Sequence, residues 1–322
     1  MLEAKAPKNG NRIVLVLTFW LVLVMLSLRF DLFYYMGIEI SDLWRTAYIQ
    51  FVGLVIPFVI YLAITKQKVK NVLRLDFPSI KNIIFAILLG VAIVPIGMGG
   101  MLLGNALNEL IFGSEYTIAI QQVAPSLWAL LLIGALLPSI AEEAWFRGVL
   151  FNHYHRYITI GKTAMITGLF FGLMHGIPQF LYTFIVGIIW AYALYYTRSI
   201  WIPVISHFAA NVLLHTMGFL IESANGSTYS YYYVQDSIDY GANNPFVYYL
   251  IFFVILGIVS ALIIFICMRV FKKHHSLTQP STEIDINANE ADLAKSKVFT
   301  WELAMVIAIW IAFSLLSGFG IL

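Results

Sequence analysis

The sequence predicts an all-α, polytopic integral membrane protein. Its 322 residues are 61% hydrophobic and only 11% charged, whereas soluble domains carry about 25% charged residues. The apolar residues fall into runs close to the ~20 residues that an α-helix needs to cross a bilayer. The lone cysteine, Cys267, lies within such a run and cannot form an intrachain disulfide. This composition gives no indication of a nucleic-acid partner.

Nine apolar segments are candidate spans, and the fifth is shorter than the others. The first follows three basic residues but lacks a small-residue cleavage site, so we interpret it as a retained span. The fifth nearly joins the sixth, and the two can form a re-entrant pair that leaves eight spans. The segments are 13–28, 46–65, 82–107, 126–151, 162–176, 180–197, 200–221, 246–271 and 300–321.

The distribution of lysine and arginine predicts the orientation of these spans. With the N-terminus in the cytoplasm, only Arg29 and Arg45 fall in outer segments, which agrees with the positive-inside rule. The sequence therefore predicts a multi-pass protein of the plasma membrane with its N-terminus inside. The polar stretch 272–299 predicts a flexible cytoplasmic linker.

Two glutamates and an arginine occur within the fourth predicted span. Such groups are expensive at bilayer depth, at roughly 2.5–3.5 kcal/mol each at a helix centre. Glu143 and Arg147 are four residues apart and can pair on one helix face. Glu142 lies about 100° around the helix and stays available for another role. Pro138, four residues before Glu142, predicts a local disturbance of the helix.

Two further spans also carry polar side chains. His175 is near the end of the fifth segment, while His207 and Asn211 share one face of the seventh. Each group alone could be a hydrogen-bonded packing residue, and the Glu143–Arg147 pair could be purely structural. One polar cavity shared by three spans explains the whole set with the fewest unpaired groups.

Such a cavity permits two kinds of hydrolytic chemistry. A carboxylate and an imidazole can hold and deprotonate a water, while His207 and Asn211 can donate hydrogen bonds to a developing oxyanion. Alternatively, Glu142, His175 and His207 could bind a divalent metal such as zinc, which would activate the water. The sequence contains no HExxH ligand pair. A metal is therefore an alternative that the sequence does not require.

The ordered motifs EExxxR, FxxxH and HxxxN resemble those of the CPBP family, also called the Abi family. This family contains CAAX proteases and bacteriocin-processing enzymes, including the type II CAAX prenyl endopeptidases. The resemblance covers residues 125–217 as a catalytic core, between helices in 1–124 and 218–322. It implies water activation by Glu142 and His175, oxyanion stabilisation by His207 and Asn211, and orientation of the site by Glu143 and Arg147. Members are commonly labelled metalloproteases, but a metal-free glutamate mechanism also fits these residues and is the one we favour.

The sequence thus predicts an intramembrane endopeptidase that opens toward the cytoplasmic half of the bilayer. Its expected partners are the bilayer and a peptide or membrane-tethered protein substrate, and the sequence indicates no oligomeric state. Two other function classes stay open. One is a non-enzymatic bacteriocin-immunity or sensor protein, and the other is a proton-coupled transporter. A transporter is expected to contain internal repeats, which the sequence does not show.

Overall fold

The computed structural model of the chain describes residues 6–30, 32–112, 126–225, 245–278 and 298–319. Across these ranges every regular element is a helix, and eight helices are long and apolar enough to cross a bilayer. The predicted all-α, polytopic fold is confirmed. The helices are α1 (Ala6–Arg29), α2 (Leu32–Tyr35), α3 (Leu43–Thr65), α4 (Val69–Leu73), α5 (Ile80–Phe112), α6 (Leu127–His155), α7 (Ile160–Leu173), α8 (Ile177–Thr197), α9 (Trp201–Asn225), α10 (Pro245–Thr278) and α11 (Trp301–Gly318).

The predicted fifth span corresponds to α7, which is too short to cross a bilayer. Its 14 residues extend about 21 Å at 1.5 Å per residue, against a hydrocarbon core of about 30 Å. It packs closely on α8, where a Cβ added to Gly187 would lie 2.8 Å from the Cα atom of Gly168. Eight helices are therefore long enough to span a bilayer. The shorter α7 runs antiparallel to α8, so that the end of α6 and the segment just after α8 both contact residues 72–74 on the same side of the bundle.

The predicted cytoplasmic linker begins later than the sequence composition indicated. Helix α10 continues to Thr278, so residues 272–278 of the predicted linker 272–299 are helical. No proline or glycine interrupts this polar segment before Pro280, and a proline disfavours helical geometry in the residue that precedes it. Residues 279–297 lie outside the described part of the chain.

Helix α5 approaches α8 and α9 through glycines. A Cβ added to Gly104 would overlap the backbone of Pro178 in α8, and one added to Gly90 would overlap the carbonyl of Ser206 in α9. Small residues allow helix backbones to approach closely inside membranes. Because His207 follows Ser206, the contact at Gly90 also fixes the place of that histidine.

Replacing Gly104 by alanine is expected to destabilise the protein by about 1–3 kcal/mol, because the added methyl group overpacks a backbone contact. Gly257 in α10 provides a matched control, since an added Cβ there meets no atom within 4 Å. Thermal unfolding followed by tryptophan fluorescence should show a lower midpoint for Gly104→Ala only. A wild-type midpoint for Gly104→Ala would contradict the close approach of α5 and α8.

Pro138 deprives one backbone carbonyl of α6 of its usual helical hydrogen bond, and a histidine ring nitrogen lies within hydrogen-bond distance of that carbonyl. Proline lacks an N–H group, so the carbonyl of Gly134, four residues earlier, loses its usual helical donor. The Nε2 atom of His215 lies 2.9 Å from this carbonyl oxygen. His215 therefore has a packing role at the α6–α9 contact.

Helices α3 and α6 contain π-helical stretches where they face each other. The stretch in α3 covers Ile49–Val55, and the one after the two glutamates in α6 covers Ala144–Phe151. The indole N–H of Trp145 donates a 2.7 Å hydrogen bond to the carbonyl oxygen of Leu54. This bond sets the register of α3 against the segment of α6 that carries Glu142.

Candidate active site

The polar side chains predicted on three spans converge inside the helix bundle. Glu142 and Glu143 lie near the middle of α6, His175 lies at the end of α7, and His207 lies in α9. Glu143 and Arg147 are fully buried, and Glu142 and His207 retain exposures of only 7% and 6%. His175 is half-buried. Carboxylates and a guanidinium group at this burial must find partners.

The depth of Glu142 differs from the sequence-based expectation. Helix α6 extends to His155, so Glu142 lies about 20 Å from its end at 1.5 Å per residue. The predicted span end at residue 151 places Glu142 only about 14 Å from the end by the same rise. His175 lies 16 residues after the cap residue Thr159 of α7, or about 24 Å by the same rise. The two side chains are therefore at similar depth. The short α7 ends where the longer α6 has its midpoint.

The two carboxylate oxygens of Glu142 have different surroundings. Its Oε1 atom accepts a 2.7 Å hydrogen bond from the side-chain amide of Gln50. Its Oε2 atom has no hydrogen-bond partner in the described ranges, and it lies 3.8 Å from Nε2 of His175 and 4.0 Å from Nε2 of His207. These separations are too long for direct hydrogen bonds. They suit one water placed between the groups.

A backbone carbonyl of its own helix orients His175. The Nδ1 atom lies 2.6 Å from the carbonyl oxygen of Phe171, four residues earlier. Because a carbonyl only accepts hydrogen bonds, Nδ1 carries a proton and a neutral ring presents the lone pair of Nε2 toward Glu142. Gly176, at φ +73°, then turns the chain into α8 through a conformation that favours glycine. The FxxxH spacing thus has a geometric reason.

Glu143 orients His207 from the opposite side. The Nδ1 atom of His207 lies 3.1 Å from Oε1 of Glu143, so the carboxylate accepts a hydrogen bond from the imidazole. The Trp190 ring stacks on the imidazole at 4.4 Å between centroids with an interplanar angle of 24°. These contacts hold the ring with Nε2 directed toward Glu142.

Arg147 is buried among backbone, carboxylate and aromatic groups. It donates hydrogen bonds of 3.0 Å to Oε1 of Glu143 and 3.1 Å to the carbonyl oxygen of Gly187 in α8. Its guanidinium group also lies 4.7 Å from the ring centroid of Phe171 and 5.3 Å from that of Trp190. Such aromatic faces attract a cation. The i,i+4 pair expected from the sequence is present, and Glu143 links Arg147 to His207.

Asn211 lies one helical turn beyond His207 on α9 and is half-buried. Residues four apart share a helix face, so its amide is on the side of α9 that carries His207. Within the described ranges this amide makes no protein hydrogen bond. The structure thus places Glu142 near His175 and His207 and joins Glu143 to His207 and Arg147. Asn211 is adjacent, with its amide free to donate. The catalytic role of each remains a prediction.

Two contacts of this site were absent from the sequence-based prediction. Gln50 is the only amide side chain in the predicted span 46–65, and an amide in an apolar segment was the available signal. Trp190 gives no comparable signal, because it lies in a helix rich in aromatic residues. Both residues belong to helices other than the one that bears the glutamates, so their contacts depend on long-range packing.

The donor atoms at the site do not have the geometry of a bound zinc ion. Ligand atoms 2.0–2.1 Å from a tetrahedral zinc lie about 3.3–3.4 Å apart, and the separations from Glu142 are 3.8 and 4.0 Å. Nowhere in the described ranges do three or more His, Cys, Asp or Glu residues form a group that could hold a metal ion. The mechanism proposed below therefore uses no metal-dependent step.

Comparisons with known proteins agree with the motifs. Residues 124–213 match the family described as "Type II CAAX prenyl endopeptidase Rce1-like". A protein of Bacillus subtilis (strain 168), described as "Putative membrane peptidase YdiL", is 23% identical over 183 residues, covering 55% of this chain and 72% of that protein. No solved structure matches the chain. The resemblance to the CPBP family is confirmed, and at family level it supports a membrane protease that acts on a peptide or protein.

Proposed function

From this family resemblance, we propose that the protein is an intramembrane endopeptidase that hydrolyses a peptide bond in a membrane-associated peptide or protein tail. The observation that carries the proposal is the geometry around Oε2 of Glu142. This unpartnered carboxylate oxygen lies 3.8 and 4.0 Å from two imidazole nitrogens, separations that one bridging water would suit. A general base needs a proton donor within hydrogen-bond distance or one water away.

In the proposed reaction, a water donates hydrogen bonds to Oε2 of Glu142 and to Nε2 of His175. As the water oxygen attacks the scissile carbonyl carbon, one proton moves to Glu142 and a C–O bond forms. The carbonyl oxygen becomes an oxyanion. When the C–N bond breaks, Glu142 returns the proton to the departing amine nitrogen, which leaves a new carboxyl terminus and a new amino terminus.

His207 and Asn211 are proposed to stabilise the oxyanion through hydrogen bonds. Because Nδ1 of His207 already donates to Glu143, donation from Nε2 requires an imidazole that carries both protons. Such an imidazolium, together with Arg147, balances the charges of Glu142 and Glu143 inside the bundle. Such a balance supports the proposal because an uncompensated charge is costly in a buried site of low dielectric constant.

The proposal extends to orientation and location. A cytoplasmic N-terminus is supported by the distribution of lysine and arginine along the sequence, and location in the plasma membrane is proposed with it. Eight apolar helices support a multi-pass protein. Entry of substrate from the cytoplasmic half of the bilayer is proposed with them.

The test of function compares peptide termini in membranes of cells that produce either the wild-type protein or Glu142→Gln. Mass spectrometry should find new termini only with the wild-type protein. Two internally quenched peptides, identical except for a farnesyl group on a C-terminal CAAX sequence, then report whether the lipid is required by the purified protein in nanodiscs. Identical sets of termini from both membranes would contradict the proposal.

Chelation is expected to leave cleavage unchanged within about twofold. The proposed water is held by Glu142 and His175, whose donor atoms lie 3.8 Å apart, and no step depends on a metal. The measurement is the initial rate on the quenched peptides with and without 1,10-phenanthroline. A loss of activity that added zinc restores would contradict this mechanism and favour metal activation of the water.

A further inference from the structure

Gln50 is a buried amide in a part of the chain that the family match does not include. It lies in α3, within the π-helical stretch Ile49–Val55, and is 8% exposed. Burying an amide in an apolar environment is costly unless it forms hydrogen bonds. In the described ranges, its side chain makes one hydrogen bond, and the acceptor is Glu142. Packing alone does not account for a glutamine at this position.

The contact between Gln50 and Glu142 has a defined direction. A carboxylate oxygen is only an acceptor, so the Nε2 end of the amide faces it. The separation of 2.7 Å between Nε2 and Oε1 is at the short end of the range for charge-assisted hydrogen bonds. Gln50 therefore donates its hydrogen bond to Oε1 of Glu142. The other carboxylate oxygen, Oε2, is the one that faces His175 and His207.

A second hydrogen bond, one helical turn from the first, joins the same two helices. Leu54 lies four residues after Gln50 on α3, and Trp145 lies three residues after Glu142 on α6. The indole of Trp145 donates to the carbonyl oxygen of Leu54 at 2.7 Å, and its ring packs against Phe58. Residues three or four apart lie on one face of a helix. The two hydrogen bonds therefore join one face of α3 to one face of α6.

We propose that Gln50 is a positioning residue that fixes the orientation of the Glu142 carboxylate, so that Oε2 holds the attacking water. This inference rests on the proposed function, because it assigns Gln50 to the step in which Glu142 is the base. It makes hydrolysis dependent on α3, a helix outside residues 124–213. Positioning residues of this kind matter because small errors in geometry lower the rate strongly.

Infrared difference spectroscopy tests the proposal independently of activity. The spectrum of the wild-type protein minus that of Glu142→Gln isolates the carboxyl stretching bands of Glu142, and the same subtraction is made in a Gln50→Met background. Loss of the hydrogen bond to Oε1 is expected to shift these bands. Gln67→Leu is the control, because Gln67 lies just beyond α3 and donates to the hydroxyl of Tyr61. Unshifted bands in Gln50→Met would overturn the proposal.

Cleavage of the quenched peptides provides the second measurement. Gln50→Met is expected to lower kcat about tenfold or more and to leave KM within about twofold, because Gln50 acts on Glu142 and not on the substrate. Gln67→Leu should retain the wild-type kcat. If Gln50→Met does not fold, Gln50→Leu removes the donor with an apolar side chain of similar size. A protein that cleaves nothing would refute the proposed function, while the infrared bands would still decide the role of Gln50.

Discussion

Glu142→Gln is expected to reduce peptide cleavage by about three orders of magnitude, within the 10²–10⁴-fold range for loss of a general base. The amide has the same size as the carboxylate but cannot accept the proton of the attacking water. It also cannot return that proton to the departing amine. Initial rates on the quenched peptides measure the effect directly, with enzyme concentration set by an active-site-independent method such as absorbance.

The control for this variant is Glu109→Gln, which removes an exposed carboxylate from α5. It should cleave at the wild-type rate. Glu142→Gln should remain folded, since the side chain retains its shape and can still accept the hydrogen bond from Gln50. Wild-type cleavage by correctly folded Glu142→Gln would show that another group is the base.

Arg147→Met is expected to have the largest effect on stability, about 3–5 kcal/mol. The substitution fills much of the same volume but removes the guanidinium charge and its hydrogen bond from the buried carboxylate of Glu143. It also removes the hydrogen bond from Arg147 to the carbonyl of Gly187 in α8. Unfolding in mixed micelles, followed by tryptophan fluorescence against denaturing detergent, measures the change.

A double variant separates the charge from the packing. Arg147→Met combined with Glu143→Gln removes both charges and should recover part of the lost stability, as a double-mutant cycle for a coupled pair requires. Arg156→Met, just beyond α6 and exposed, serves as the single-charge control and should change stability by less than about 0.5 kcal/mol. Equal losses for Arg147→Met and the double variant would contradict a buried, coupled pair.

The spacing of residues along single helices predicted much of the local geometry. Glu143 and Arg147 pair because positions i and i+4 of a helix are neighbours, and this distance depends only on helix formation. The FxxxH spacing follows the same rule, since the carbonyl of Phe171 lies one turn before His175. Such relations hold before the helices pack together.

Contacts between distant helices were not predictable in the same way. Gln50 reaches Glu142 across 92 residues of sequence, and Trp145 reaches Leu54 across 91. Their meeting depends on the register of α3 against α6, which no local pattern specifies. The stacking of Trp190 on His207 likewise requires α8 and α9 to be in place.

Helix ends were the least predictable part of the fold. Hydropathy placed the end of the fourth span at residue 151, whereas α6 continues to His155 through polar but helix-compatible residues. The same reasoning applies to residues 272–278 of α10. Hydropathy indicates where the chain leaves the apolar layer of the membrane. Helical hydrogen bonding can continue beyond that point when no proline or glycine ends the helix.

The central claim is that a water activated by Glu142 forms the new carboxyl terminus of the product. The most direct measurement is a single-turnover cleavage of a quenched peptide in ¹⁸O-labelled water, with mass spectrometry of the N-terminal fragment. We expect one solvent oxygen in the new carboxyl group of the wild-type product, and no product from Glu142→Gln on the same timescale. A first-turnover product without solvent oxygen, or labelled product formed at the wild-type rate by Glu142→Gln, would contradict the account.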